Sequence, residues 1–88
     1  MKLSSILRMP TVSVLMFLLD RGEVRYAELA RLISSRGTLS LSLKELDEEK
    51  LIVRRVVALK PIQAYYSLTK KGRLVASELR KTEELLRA

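Results

Sequence analysis

The stretch Ser34-Ser35-Arg36-Gly37-Thr38-Leu39-Ser40-Leu41-Ser42-Leu43-Lys44-Glu45-Leu46 decides the fold, because a polar, glycine-bearing break runs straight into leucines at 39, 43 and 46. That i, i+4, i+7 spacing puts three apolar side chains on one stripe of a helix. Ser34 or Ser35 can cap it, since a serine hydroxyl accepts from an otherwise unpaired N–H of the first turn. The helix is expected to run to about Lys50. Upstream, residues 25–34 read as a shorter helix with Leu29, Leu32 and Ile33 turned inward and Ala30 small enough to admit a neighbour. Further upstream, residues 11–20 carry Val12, Leu15, Met16 and Leu19 at helical spacing, with Pro10 favouring the start and Arg21-Gly22 the stop.

Downstream of Leu51 the period changes. Residues 52–59 are rich in β-branched side chains, Lys60-Pro61 interrupts them, and residues 64–69 bring Tyr65, Tyr66 and Leu68, so the spacing predicts a hairpin. Tyr66 and Leu68 share a face at i and i+2 and are expected in the core, which leaves Tyr65 pointing outward. Lys70-Lys71-Gly72 then turns the chain into a last helix from Arg73 to about Arg87, with Leu74, Val75, Leu79, Leu85 and Leu86 as its apolar positions. The order helix, helix, helix, hairpin, helix is a mostly α fold with a small β-hairpin wing (α+β), a winged helix-turn-helix. The 88 residues suit one domain. Residues 10–72 are expected to form a DNA-binding core, and residues 73–88 a C-terminal helix serving dimerisation.

Charge points to the partner. There are 17 Lys and Arg against 10 Asp and Glu, and the excess is local. Between residues 50 and 73 stand Lys50, Arg54, Arg55, Lys60, Lys70, Lys71 and Arg73 with no acid among them, whereas residues 74–88 balance three against three. A basic, acid-free hairpin suits a polyanion. Absent residues exclude other chemistry: with no His and no Cys, the chain has no His-based triad, thiol catalysis, disulfide or thiolate zinc site. No cofactor is expected. Glu45, Asp47, Glu48 and Glu49 lie mostly on the outside of one helix without a second ligand-bearing segment, so they read as a solvated face rather than a metal site. The apolar run from Val12 to Leu19 is broken by Ser13 and falls short of the roughly 20 residues that span a bilayer. The chain reads as cytoplasmic and not an enzyme.

If Leu39, Leu43 and Leu46 anchor the third helix, a 100° step per residue turns Gly37, Leu41, Lys44, Glu45 and Glu48 outward with Ser40 on the flank. Arg36, Gly37, Thr38, Ser40, Leu41 and Lys44 are therefore the expected recognition residues in the major groove of double-stranded DNA. Arg54, Arg55, Lys60 and Gln63 are the expected wing contacts, mostly to phosphates. Successive strand residues face opposite sides, so one of Arg54 and Arg55 faces DNA, and which one depends on the strand register. Leu79, Leu85 and Leu86 exceed what a small core can bury and are expected, with the first helix and residues 3–9, to form a homodimer interface. No residues are nominated for a small-molecule effector.

Four segments resemble one family: Arg25-Tyr26-Ala27-Glu28-Leu29; Thr38-Leu39-Ser40 with Leu43-Lys44-Glu45-Leu46; Leu51-Ile52-Val53-Arg54-Arg55; and Tyr66-Ser67-Leu68-Thr69-Lys70-Lys71-Gly72. Together they look like the HxlR-type branch of winged-helix transcriptional regulators, with parts shared by MarR and PadR regulators. The likeness covers roughly residues 10–75, and the last segment is its most specific piece. It implies a dimeric DNA-binding regulator with the third helix in the major groove and the hairpin as wing. Two positions depart from that family's pattern: Lys50 stands where a Gly is usual, and no Cys precedes the first helix. A different class of function for the same fold is a protein-interaction module within a larger assembly, which would dock protein through its helices.

Overall fold

Buried positions recur at i, i+3, i+4 and i+7 in two helices, and these two stripes build most of the core. The computed structural model describes residues 7–58 and 60–88. Helix α1 (Met9–Arg21) buries Thr11, Val14, Leu15 and Leu18. Pro10 sits in its first turn, and it ends at Gly22, whose N–H still donates to the Leu18 carbonyl while its positive φ of 80° turns the following chain out of the helix. Helix α3 (Arg36–Glu48) buries Leu39, Ser42, Leu43 and Leu46. The expected Leu39, Leu43, Leu46 stripe is thus core. Ser42 joins it at no polar cost, because its hydroxyl donates to the Thr38 carbonyl at 2.9 Å.

Between them lies α2 (Tyr26–Leu32), shorter at both ends than residues 25–34. Its start is fixed by Glu28, whose carboxylate accepts from the Arg25 N–H at 2.9 Å. Arg25 itself is extended. It belongs with Val24 to a two-residue strand, β1 (Val24–Arg25), that the sequence reading did not anticipate. Strands β2 (Ile52–Val57) and β3 (Gln63–Leu68) form the expected hairpin, and β3 is the middle strand of an antiparallel β1-β3-β2 sheet. Val24, Ile52 and Tyr66 close the sheet's inner face onto the helical leucines, with Leu68 partly buried beside them.

Helix α4 (Lys70–Arg87) begins three residues earlier than expected, with Lys70-Lys71-Gly72 as its first turn. Thr69 is the cap: its hydroxyl accepts from the Gly72 N–H at 3.0 Å and donates to the Lys50 carbonyl at 2.6 Å, while the Thr69 N–H donates to the Leu51 carbonyl at 3.0 Å. Gly72 is required by proximity, since a Cβ there would overlap the carbonyl of Leu51. Opposite it, α3 ends with the Leu51 N–H bonded to the Leu46 carbonyl and the Lys50 N–H to that of Asp47, and Lys50 adopts φ 57°. This double closure normally places glycine at the left-handed position, and here a lysine takes it. From this joint α4 runs back over α1, burying Ala76 and pairing Arg80 with Asp20 at 3.0 Å. Among the described residues no helix is long and apolar enough to cross a membrane.

Candidate nucleic-acid interface

Three residues, 33–35, join α2 to α3, the short connection of a helix-turn-helix. Ser35, not Ser34, caps α3, its Oγ accepting from the Thr38 N–H at 3.3 Å. Arg36, Gly37, Ser40, Leu41 and Lys44 are exposed along the first two and a half turns, Gly37, Leu41 and Lys44 on the side away from the buried leucines and Arg36 and Ser40 on the flank. Thr38 is half-buried beside them, its carbonyl already used by Ser42. Glu45 departs from the outward placement expected for it. Its side chain is only 17% exposed and pairs with Arg8, which reaches it from the start of α1.

The strand register assigns opposite sides to the two wing arginines. Arg54 pairs with Tyr66 and Arg55 with Tyr65, so Arg54 emerges on the inner sheet face and Arg55 on the outer one. Arg54 lines a cleft of about 300 Å³ between α3 and β2, together with Lys44 and Asp47, over a floor of Leu43, Ile52 and Tyr66. Neither Lys44 nor Arg54 has an ion-pair partner among the described residues. Arg55 is engaged. Its guanidinium donates to both carboxylate oxygens of Glu23, at 2.8 and 3.1 Å, and lies 4.6 Å from the centre of the Tyr65 ring. The hydrogen bond from Arg55 holds the Glu23 carboxyl below its usual range, and the same bond raises Arg55.

The other expected wing residues are similarly divided. Lys60 is exposed in the loop at the hairpin tip, whereas Gln63 is half-buried and accepts from the Tyr65 hydroxyl at 2.6 Å. Tyr65 is therefore half-buried between an arginine and a glutamine instead of standing clear of the sheet. Lys71 spends its ammonium on the Glu49 carbonyl at 3.0 Å. The acid-free run from 50 to 73 is thus not one uniform cationic face. Arg54 is the member of that run that lines the cleft beside α3.

Leu85 and Leu86 are 75% and 82% exposed near the end of α4, while Leu79 is partly buried against the core. Of the segment 3–9 expected beside them, residues 3–6 lie outside the described residues, and Leu7 and Met9 are exposed. No group of His, Cys, Asp and Glu able to hold a metal ion occurs among the described residues. Glu23 with Arg55 and Arg8 with Glu45 are pairs that the sequence does not single out. Their members stand 32 and 37 residues apart, a distance over which local periodicity carries no signal.

Solved structures share this architecture. The transcriptional regulator YtfH from Salmonella typhimurium is 25% identical and superposes with a TM-score of 0.85 over 97% of this chain and 77% of that one. A MarR-family regulator from Porphyromonas gingivalis is 28% identical, with a TM-score of 0.78 over 92% of this chain and 80% of that one. A transcriptional regulator homologue from Pyrococcus horikoshii shares the fold at 15% identity, with a TM-score of 0.83 over 97% and 86% of the two chains. No curated protein matches the sequence. The sequence does match a family description over residues 10–87, which spans all four helices and the wing but for the first residue of α1, and by that match the chain belongs to the HxlR-like helix-turn-helix family.

Proposed function

We propose that this chain is a transcriptional regulator that binds double-stranded DNA as a homodimer, with α3 in the major groove and the wing on the backbone. The observation that carries this reading is the placement of Lys44 and Arg54, two unpaired cations from separate elements, on the rims of one cleft. Reading of bases falls to the exposed N-terminal part of α3, through Ser40, Lys44 and the Leu41 side chain, with Thr38 and Gly37 at close approach. Arg36 beside the α3 N-terminus suits a phosphate, because unpaired N–H groups and the helix dipole favour an anion there. Arg54 and Lys60 serve the backbone, with Gln63 at the wing's base. Asp47 and Glu48 occupy the C-terminal end of α3 and tilt that end away from the duplex.

All of the chain acts as one domain, with α4 presenting Leu85 and Leu86 to a second copy. The test is selection of bound duplexes from a random pool by the full chain, followed by titration of the best duplex over a range of salt. A two-fold symmetric site and an affinity falling steeply with salt are expected. An unenriched pool, or an affinity indifferent to salt, overturns the reading.

A further inference from the structure

Arg54 and Arg55 are adjacent in sequence, yet among the described residues only Arg55 has an ion-pair partner. We propose that Arg55 is a positioning residue that straps the wing to the rest of the domain through Glu23 and thereby sets where Arg54 meets the DNA backbone. The inference rests on the DNA-binding reading above and assigns the two arginines separate tasks within it.

The strap crosses the whole sheet. Arg55 stands in β2, its register partner Tyr65 in the central β3, and Tyr65 in turn faces Arg25 in β1. Glu23 precedes Arg25 by two residues, the spacing that returns a side chain to the same face of an extended segment. The guanidinium passes over the Tyr65 ring at 4.6 Å and is held by Glu23 at two points, 2.8 and 3.1 Å. Tyr65 is fixed in turn by its 2.6 Å hydrogen bond to Gln63. One side chain therefore runs from β2 over β3 to the residue that precedes β1, one beyond Gly22, where α1 stops. Backbone pairing at that edge is slight, because β1 has only two residues.

Two-point binding suits the planar fork of arginine, and the flat cation also lies well on a ring face; a lysine would supply the charge without the fork. An exposed ion pair adds little to global stability, so the strap acts on orientation more than on folding. The Glu23 carboxylate also compensates the charge of Arg55, which leaves little net attraction for an approaching phosphate. Arg54 on the other face keeps its full charge.

Duplex binding by the full chain, measured by fluorescence anisotropy across a range of salt, separates the roles. Arg54→Gln should reduce the slope of log affinity against log salt by about 1.8, the loss of one phosphate contact in each subunit of the dimer. Arg55→Gln should keep the slope of the original chain and weaken binding about threefold to tenfold at every salt. Arg55→Lys should behave as Arg55→Gln, and Glu23→Gln combined with Arg55→Gln should be no weaker than Arg55→Gln alone. Amide hydrogen exchange in the DNA-free protein gives an independent reading: exchange in β1 and in the hairpin should quicken in Arg55→Gln and Glu23→Gln but not in Arg54→Gln. A slope lowered by about two units in Arg55→Gln and restored in Arg55→Lys would make Arg55 a phosphate ligand in each subunit and overturn the proposal. Unchanged affinity or unchanged exchange in Arg55→Gln overturns it as well. A chain that binds no duplex defeats the DNA-binding reading alone, and the exchange measurement then still decides the strap.

Discussion

The hydroxyl of Thr69 donates a 2.6 Å hydrogen bond to the carbonyl of Lys50, joining the cap of α4 to the residue that closes α3. The same hydroxyl accepts from the Gly72 N–H, and Gly72 lies directly against the Leu51 carbonyl. The end of α3, the start of the wing and the start of α4 thus meet at one joint. Thr69→Ala should cost about 1–2 kcal/mol through the lost cap. Gly72→Ala should cost about 3 kcal/mol, because the overlapped atom is backbone and cannot swing aside. Urea unfolding of both variants checks the order, and a Gly72→Ala chain as stable as its parent would contradict the packing described.

Lys50 gives a prediction of opposite sign. A left-handed conformation costs an L-residue about 1–2 kcal/mol, and the greater freedom of glycine in the unfolded chain returns about half of that. Lys50→Gly should therefore stabilise by about 0.5–1 kcal/mol, read as a thermal midpoint higher by a few degrees. A lower midpoint would show that the lysine side chain contributes something the backbone geometry does not reveal.

Thr11 is fully buried in α1, and its hydroxyl has no hydrogen-bond partner among the described residues. Valine has nearly the same shape and no polar atom to satisfy. Thr11→Val should raise stability by about 1 kcal/mol, measured by denaturant titration.

Asp20 links α1 to α4 through Arg80, whose hydrogen bond holds the carboxyl below its usual value of 3.8. A carboxyl depressed in the folded state contributes stability above its unfolded value and loses it as pH falls through the lower folded value. The thermal midpoint of the parent chain should therefore exceed that of Asp20→Asn at neutral pH. The difference should close as pH is taken below 3.8. A gap persisting in acid would separate the effect of the substitution from the carboxylate's charge.

Leu85 and Leu86 pack against little in the single chain, at 75% and 82% exposure. Replacing both with lysine should leave the circular dichroism spectrum and thermal midpoint of the subunit nearly unchanged. Self-association measured by sedimentation equilibrium should weaken at least about thirtyfold, as for loss of a central interface contact. A chain that sediments identically before and after the change would remove α4 as the pairing surface.

The helical part of this fold is legible because leucines at 39, 43 and 46 repeat with the helix period, and the structure buries all three. The wing is legible from its β-branched and aromatic run. What lies outside periodicity is what the sequence did not yield. A two-residue strand is too short to alternate, so Val24 and Arg25 were absorbed into the neighbouring helix or left unassigned. Arg54 and Arg55 could not be told apart until the pairing with Tyr66 and Tyr65 fixed their faces. Glu45 had an outward helical position, but a cation from outside that helix, Arg8, drew it into a partly covered ion pair. In each case the deciding neighbour is distant along the chain.

The joint at Lys50, Thr69 and Gly72 has a mechanical consequence. The end of α3, the first residues of β2 and the cap of α4 are tied to one another by hydrogen bonds and close backbone contact, so a rotation of the last helix would be passed on to α3 and the wing. If two copies pair through that last helix as proposed, the stride between their two α3 helices is set by the crossing angle of helices far from the nucleic acid. On that reading, a side chain that alters how the two helices cross would change the spacing of half-sites without ever touching a base.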